Sequence, residues 1–494
     1  MDEVPEKKGL HPATLYLIWA ALFTVIVTVA LVLEFPALSE YFGRYLHLSD
    51  GWAEIAAIDR AFTLLQYAAA LIGGLGVEQV AAAITFILLL AVARHIGLLA
   101  AIANGWCRRV SVPLIPASVA LVGVTGGIVG IYWQLFFIPV AALVFQKARL
   151  HPVAGIVTAY ASGCASHAAN LILPGGARQF LPEWFGISSP DTSLLIFNPA
   201  YAISAFLVPL TVIGFAWMCW RVTEPALIRL SGGMLPPVEV LPSANSAKSR
   251  RGASSAALLV FLIIVVLVAL VLLASAGFLL EDSGSIQPIL NLIPAVFMGG
   301  FVAVIIVFGI RAGTLRSDED VWSPMVAAAP ELGRFVVMAF AVGALISATS
   351  LVNWSWLVQS VIEGASEAAD GGLYGLAFLL YFSIFCVAFI APTWALSGMF
   401  AVSVMKVFTQ LGATTMVPQA IILMAEAAAY MVSPASLALV YAWLVARQYL
   451  PDLKLGQFIA GLIPYAAFFG VGSLGLAVLW HVLGLPVLAG VPFR

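Results

Sequence analysis

Charge is what this sequence has least of. Only 9% of its 494 residues are Asp, Glu, Lys or Arg, while 62% are hydrophobic. A water-soluble fold devotes about a quarter of its residues to charge in order to cover its core, and this chain has too few to do so. Nucleotide-binding and metalloprotease signatures are also missing. No G-x-x-x-x-G-K-[ST] loop is present to hold ATP phosphates and no H-E-x-x-H to hold zinc. No long polar stretch could form a soluble catalytic domain. The 4 cysteines (Cys107, Cys164, Cys219, Cys386) lie in or beside apolar segments without paired spacing, which fits small buried hydrophobes better than a disulfide framework or a zinc site. A net charge of −2 offers nucleic acid no attractive field.

What is present is a series of apolar blocks, many of them about 20 residues or longer, enough for a helix to cross a hydrocarbon core of about 30 Å. The sequence therefore predicts an all-α polytopic membrane protein. Lys7 and Lys8 place the N-terminus in the cytoplasm by the positive-inside rule. The first block, 13–34, is too long for a signal-peptide core and reads as an uncleaved anchor. With an external and interfacial stretch it makes up 1–77. The block 78–103 then returns to Arg108 and Arg109.

The segment 113–146 is apolar, yet Arg108 and Arg109 precede it and Lys147 and Arg149 follow it. If both clusters are cytoplasmic, the segment enters and comes back. Gly126-Gly127-Ile128-Val129-Gly130 supplies the pliable backbone of a tip. Such a hairpin is tolerated only where protein or a watery cavity covers it. Crossings at 152–174 and 197–222 follow, then a cytoplasmic linker, 223–253, and scaffold helices in 254–333. Further on, 334–357 crosses, and 372–412 is a second hairpin broken at Ala391-Pro392-Thr393-Trp394. Blocks 416–446 and 456–482 cross again, leaving 483–494 as a tail. The expectation is about nine transmembrane helices plus two re-entrant hairpins. The order crossing, hairpin, crossing, crossing occupies 78–222 and recurs in 334–482 from the opposite side. Inverted repeats with broken helices are a secondary-transporter architecture, with the site at the midplane.

Glu426 is the costliest residue, because it ends the apolar run Ala420–Ala425 inside a crossing. An ionised carboxylate there is unfavourable unless hydrated, paired or protonated. It is a proton or sodium site, a ligand-contacting group, or a structural acid bonded to a neighbouring helix. Pro434 follows in the same block, among Tyr430, Ser433 and Ser436. A proline frees an upstream carbonyl, which beside a carboxylate makes a cation site such as a sodium site; the alternative is a plain kink. In the first half, Ser166, His167 and Asn170 occupy the corresponding block. His167 is a proton shuttle or a satisfied neutral imidazole. Asn170 is a ligand amide or a hydrogen bond between helices. Trp133 and Trp394, with Thr393, lie at the two tips, where a Trp stacks on a ligand or packs the tip. Arg94, His95, Lys406 and Gln410 are carboxylate partners or snorkelling anchors.

Several segments resemble the p-aminobenzoyl-glutamate transporter (AbgT) family of the ion transporter superfamily. They are His11-Pro12-Ala13-Thr14-Leu15-Tyr16-Leu17-Ile18, Ile138-Pro139-Val140-Ala141-Ala142, Leu150-His151-Pro152-Val153-Ala154-Gly155, Ala169-Asn170-Leu171-Ile172-Leu173, Leu462-Ile463-Pro464-Tyr465-Ala466 and Leu483-Gly484-Leu485-Pro486. The resemblance spans almost the whole chain and implies nine helices with two hairpins. It places the family's acid after the second hairpin at Glu426, its downstream proline at Pro434 and its tip Trp at Trp394. The family's first-hairpin Ser-Asp pair falls on Gly130 and Ile131, and the serine upstream of the tip Trp falls on Ala391. The tip Phe389-Ile390-Ala391-Pro392 with Glu426 is also similar to the short-chain fatty acid transporter family. The resemblance implies an inner-membrane, dimeric carrier of small organic anions driven by sodium or protons. A membrane-embedded enzyme using His167 and Glu426 as acid and base is the rival from another class, and a channel is a third.

Overall fold

The computed structural model describes residues 11–32, 77–170, 201–233, 247–275, 287–349, 354–368, 372–391, 404, 406–413 and 416–485. Among them every regular element is helical. In chain order these are α1 (Pro12–Val32), α2 (Val77–His95), α3 (Leu98–Arg109), α4 (Ile115–Gly126), α5 (Ile131–Lys147), α6 (Pro152–Ala169), α7 (Tyr201–Met218), α8 (Glu224–Leu230), α9 (Ala247–Ser275), α10 (Gln287–Ala312), α11 (Glu319–Ala327), α12 (Ala329–Thr349), α13 (Trp354–Ala368), α14 (Gly372–Ile390), α15 (Met416–Val432), α16 (Leu437–Tyr449) and α17 (Leu455–Val482). Seven helices among the described residues are long and apolar enough to cross a membrane, or eight when the bent pair α2–α3 counts as one span. Their outward faces are apolar, with Phe206, Phe261, Phe378 and Val471 all exposed, as is Trp19 of α1. That surface suits lipid rather than water. The protein is a polytopic α-helical membrane protein.

Breaks appear where the backbone chemistry demands them, and some fall outside the expected positions. The block 78–103 is not one straight crossing: α2 and α3 bend by 72°. Gly97, at φ 84°, supplies the left-handed residue between them, a conformation that a side chain would disfavour. The block 334–357 likewise ends its first helix at Thr349, and α13 begins at Trp354. The stretch 223–253 is not wholly linker, because α7 continues through a π-helical turn (Cys219–Thr223) into α8, and α9 already starts at Ala247. The expected hairpin 113–146 is two helices. They are joined by a 3-10 turn, Gly127–Val129, and by Gly130 at φ 73°, ψ −142°. With 12 and 17 residues, the arms reach only about 18 and 26 Å at 1.5 Å per residue. α14 ends at Ile390 because Pro392 disfavours helix at Ala391. Thr393 and Trp394 lie outside the described residues.

α6 organises the bundle, being buried at every residue. Helices α4, α5, α7, α15, α16 and α17 all pack on it, which explains how it carries Ser162, Ser166 and His167 without meeting lipid. Close approach depends on small residues, as in other membrane helix pairs. A Cβ on Gly123 would collide with Ser162, and one on Gly127 with Ser166. Both serines turn their hydroxyls back to their own helix, to Ala159 O at 3.0 Å and Gly163 O at 2.6 Å. On the other side of α6, a Cβ on Gly155 would lie 2.7 Å from Ala141 O and one on Gly163 2.9 Å from Gln134 Cγ. Peripheral pairs complete the bundle, α9 against α10 and α1 against α12.

Candidate functional site

The site grows from two helix ends. α6 stops at Ala169 and α15 at Val432, and α15 packs along α6. At the end of α15, Pro434 has no N–H to give the Tyr430 carbonyl one turn back. That carbonyl instead accepts from Tyr160 Oη of α6 at 2.6 Å. The Pro434 carbonyl accepts from Tyr16 Oη of α1 at 2.6 Å. Tyr160 Oη also reaches Ser436 Oγ at 3.2 Å, and Ser436 caps α16 by accepting from Leu439 N. The freed carbonyl expected to ligate a cation thus already holds a hydroxyl donor. One carbonyl lone pair is left to each group.

Ser433 donates to Phe389 O, at the end of α14, at 2.7 Å. Asn170 caps the end of α6 and donates through Nδ2 to Val124 O at 3.2 Å and Thr125 O at 3.4 Å, in the last turn of α4. Both residues tie a helix end to the break that precedes it in the chain. For Asn170 this is the helix-to-helix bond weighed beside the ligand role.

His167 points its ring edge-on at Tyr430, with centroids 5.5 Å apart and planes at 74°. Its Nδ1 lies 2.8 Å from Cys164 O, which fixes the ring to its own helix. Tyr430 is one turn beyond Glu426 on α15. Glu426 is 1% exposed, and its Oε1 has no hydrogen-bond partner among the described residues. An acid so enclosed needs a proton or a cation beside it to be tolerated. The structure therefore brings His167 against Tyr430 where α15 packs on α6, with Glu426 one turn before Tyr430, Ser433 and Pro434 just past the end of α15, and Asn170 one turn beyond His167.

Trp133 does not join them. Its ring stacks on Phe137 at 5.3 Å and meets Phe136 and Phe297, and its indole fills the space a Cβ on Gly126 would need. It packs the break between α4 and α5. Tyr16 and Tyr160 were not foreseen as site residues. The available signal was a hydroxyl inside an apolar run, which must find an acceptor when buried.

A helical bundle whose buried polar groups meet where its own helices break defines a multi-pass membrane transporter. The chain belongs to the AbgT putative transporter family, whose model it matches over residues 8–494. It is similar to the p-aminobenzoyl-glutamate transport protein of Escherichia coli (strain K12), 25% identical over 370 residues, covering 72% of this chain and 70% of the relative. Its fold is similar to the crystal structure of the Alcanivorax borkumensis YdaH transporter, with TM-score 0.52 and 20% identity, over 97% of this chain and 100% of that one. Neisseria gonorrhoeae MtrF aligns over 97% of each chain at 19% identity and a TM-score of 0.47.

Proposed function

We propose that this protein is a secondary transporter that moves a small organic anion across the cell inner membrane, coupled to sodium or protons. In this reading the N-terminus is cytoplasmic, the chain works as a homodimer, and 78–222 and 334–482 are inverted repeats whose breaks meet at the midplane. The observation that carries it is Glu426, enclosed in α15 with one oxygen unpartnered among the described residues. A structural acid would be fully bonded, since burying an unpaired acceptor costs about 1–3 kcal/mol. A coupling acid must instead exchange its proton or cation during the cycle. Ser433, Pro434 and Tyr430 shape the place where that ion resides, and His167 and Asn170, with Thr393 and Trp394, define the substrate's surroundings. The name of the Escherichia coli relative specifies a glutamate conjugate, and such a carboxylate-bearing compound supports an organic anion as the substrate class here.

The test uses purified protein in liposomes, labelled p-aminobenzoyl-glutamate as the probe, and imposed sodium or proton gradients. Flux should follow one of the gradients, and Glu426→Gln should abolish that dependence while the helical spectrum and melting profile stay unchanged. Flux independent of any gradient, and equal in both proteins, rejects the coupling role.

A further inference from the structure

A cavity of about 400 Å³ opens among α2, α3, α5, α11, α12 and α16, a size that suits a small ligand. None of the residues gathered around Glu426 lines it. Its floor is apolar and buried, built from Leu99, Phe335, Tyr441 and Val445. Phe335 and Tyr441 meet edge to face at 6.1 Å. The Tyr441 hydroxyl is turned away to donate to Leu135 O at 3.0 Å, so the ring alone faces this space. Its polar lining holds three arginines, Arg94, Arg334 and Arg447, with His95, Ser323 and Gln448, and the single carboxylate of Glu331. Arg447 is held in place, its guanidinium 5.2 Å from the Trp443 ring and its Nε donating to Pro451 O at 3.0 Å. Arg334 is exposed at the rim, and none of the described residues forms a hydrogen bond or ion pair with its guanidinium.

We infer that this cavity is a second ligand site, taking a carboxylate or phosphate group carried on an apolar body. Guanidinium groups are planar donors that grip carboxylate and phosphate oxygens in pairs, and Arg334 offers such a group at the mouth of this cavity. The aromatic floor accepts the apolar body, and Arg334, having no competing partner, closes on the head group. Two sources supply this chemistry, a soluble organic anion and an acidic lipid that reaches the rim sideways.

The experiment measures binding to the purified full chain and to Arg334→Gln and Glu331→Gln, both at exposed positions that leave the melting temperature unchanged. Radiolabelled benzoate in detergent probes the soluble source. Retention of phosphatidylglycerol relative to phosphatidylcholine in native mass spectra probes the lipid source. For the probe that belongs here, Arg334→Gln weakens binding about tenfold, the loss expected for one charge-assisted contact. Glu331→Gln strengthens it, and added salt weakens it. Benzoate held near Glu426 instead would respond to neither substitution, so this test stands or falls apart from the coupling assignment. Failure of the unaltered chain to bind either probe, or binding that neither substitution changes, overturns the inference.

Discussion

Asn170 and Ser433 make the same connection in the two halves of the chain. Each is the residue immediately after a buried helix, α6 or α15, and each donates its side chain to a backbone carbonyl at the end of an earlier helix, α4 or α14. Helix ends leave carbonyls without internal partners, and inside a membrane water does not supply them. These two side chains therefore latch the broken helices to the elements that carry the polar cluster.

Removing either latch should loosen its own half. Asn170→Ala and Ser433→Ala are each expected to lower stability by about 1 kcal/mol, the usual worth of a hydrogen bond between membrane helices. Thermal unfolding in detergent measures the loss, and the two losses should add in the double variant, because the latches share no partner. Strong non-additivity would show that the two breaks form one unit.

The α4–α6 contact makes a prediction with its own control. Gly127→Ala drives a methyl into Ser166 and should destabilise by about 1–3 kcal/mol through overpacking. Ser166→Gly in the same chain should recover most of it. Gly130→Ala meets open space, yet its φ of 73° and ψ of −142° lie where only glycine is at ease. It should cost about 1–3 kcal/mol in backbone strain, and no change at Ser166 should restore it.

Tyr160→Phe deletes the hydroxyl that satisfies the carbonyl released by Pro434. The ring stays packed, so the cost is that of one orphaned buried acceptor, about 1–3 kcal/mol. Introducing Pro434→Ala as well restores an N–H at that position. Calorimetry or chemical unfolding should then find the two substitutions less harmful together than their separate losses sum to.

His151 gives a pH dependence with a definite sign. It precedes α6, fully buried, and its ring Nδ1 accepts from Val153 N while its backbone N–H donates to Glu224 Oε1 at 2.8 Å. Burial holds its imidazole down to about 4, from an ordinary value of 6.5. The folded state therefore keeps the ring neutral where the unfolded chain takes up a proton. Its contribution to stability is present above about pH 6.5 and is lost as pH falls towards 4. His151→Asn keeps a capping acceptor without the titration. Melting curves at successive pH values should fall less steeply for this variant over that window, and parallel curves would assign the acid sensitivity to other groups.

The positions of most helices were legible because hydropathy and local backbone chemistry write them into short stretches. The Gly126–Gly130 cluster and Pro434 both mark real breaks, one through a left-handed glycine and one through a missing donor. The bend at Gly97 was not legible. A single glycine between two apolar runs leaves the hydropathy unbroken, and its positive φ is a property of the packed chain. The helical continuation into α8 was hidden in the same way, since Glu224 and Arg229 look like linker residues until Glu224 is seen accepting from His151.

At the site, the acid, the proline and the polar trio of α6 stood out because each is costly in an apolar segment. Their partners did not. Sequence alone determined that this chain lives in a membrane, that it is helical, and where buried polarity had to be accommodated, because solvation and backbone constraints act residue by residue. Only the tertiary structure decided that Tyr16 and Tyr160 serve the α15 break and that Trp133 packs among phenylalanines. It also set arginines from three helices around one cavity. Those outcomes depend on which surfaces meet across tens to hundreds of residues, and a hydrogen bond has no partner until packing supplies one.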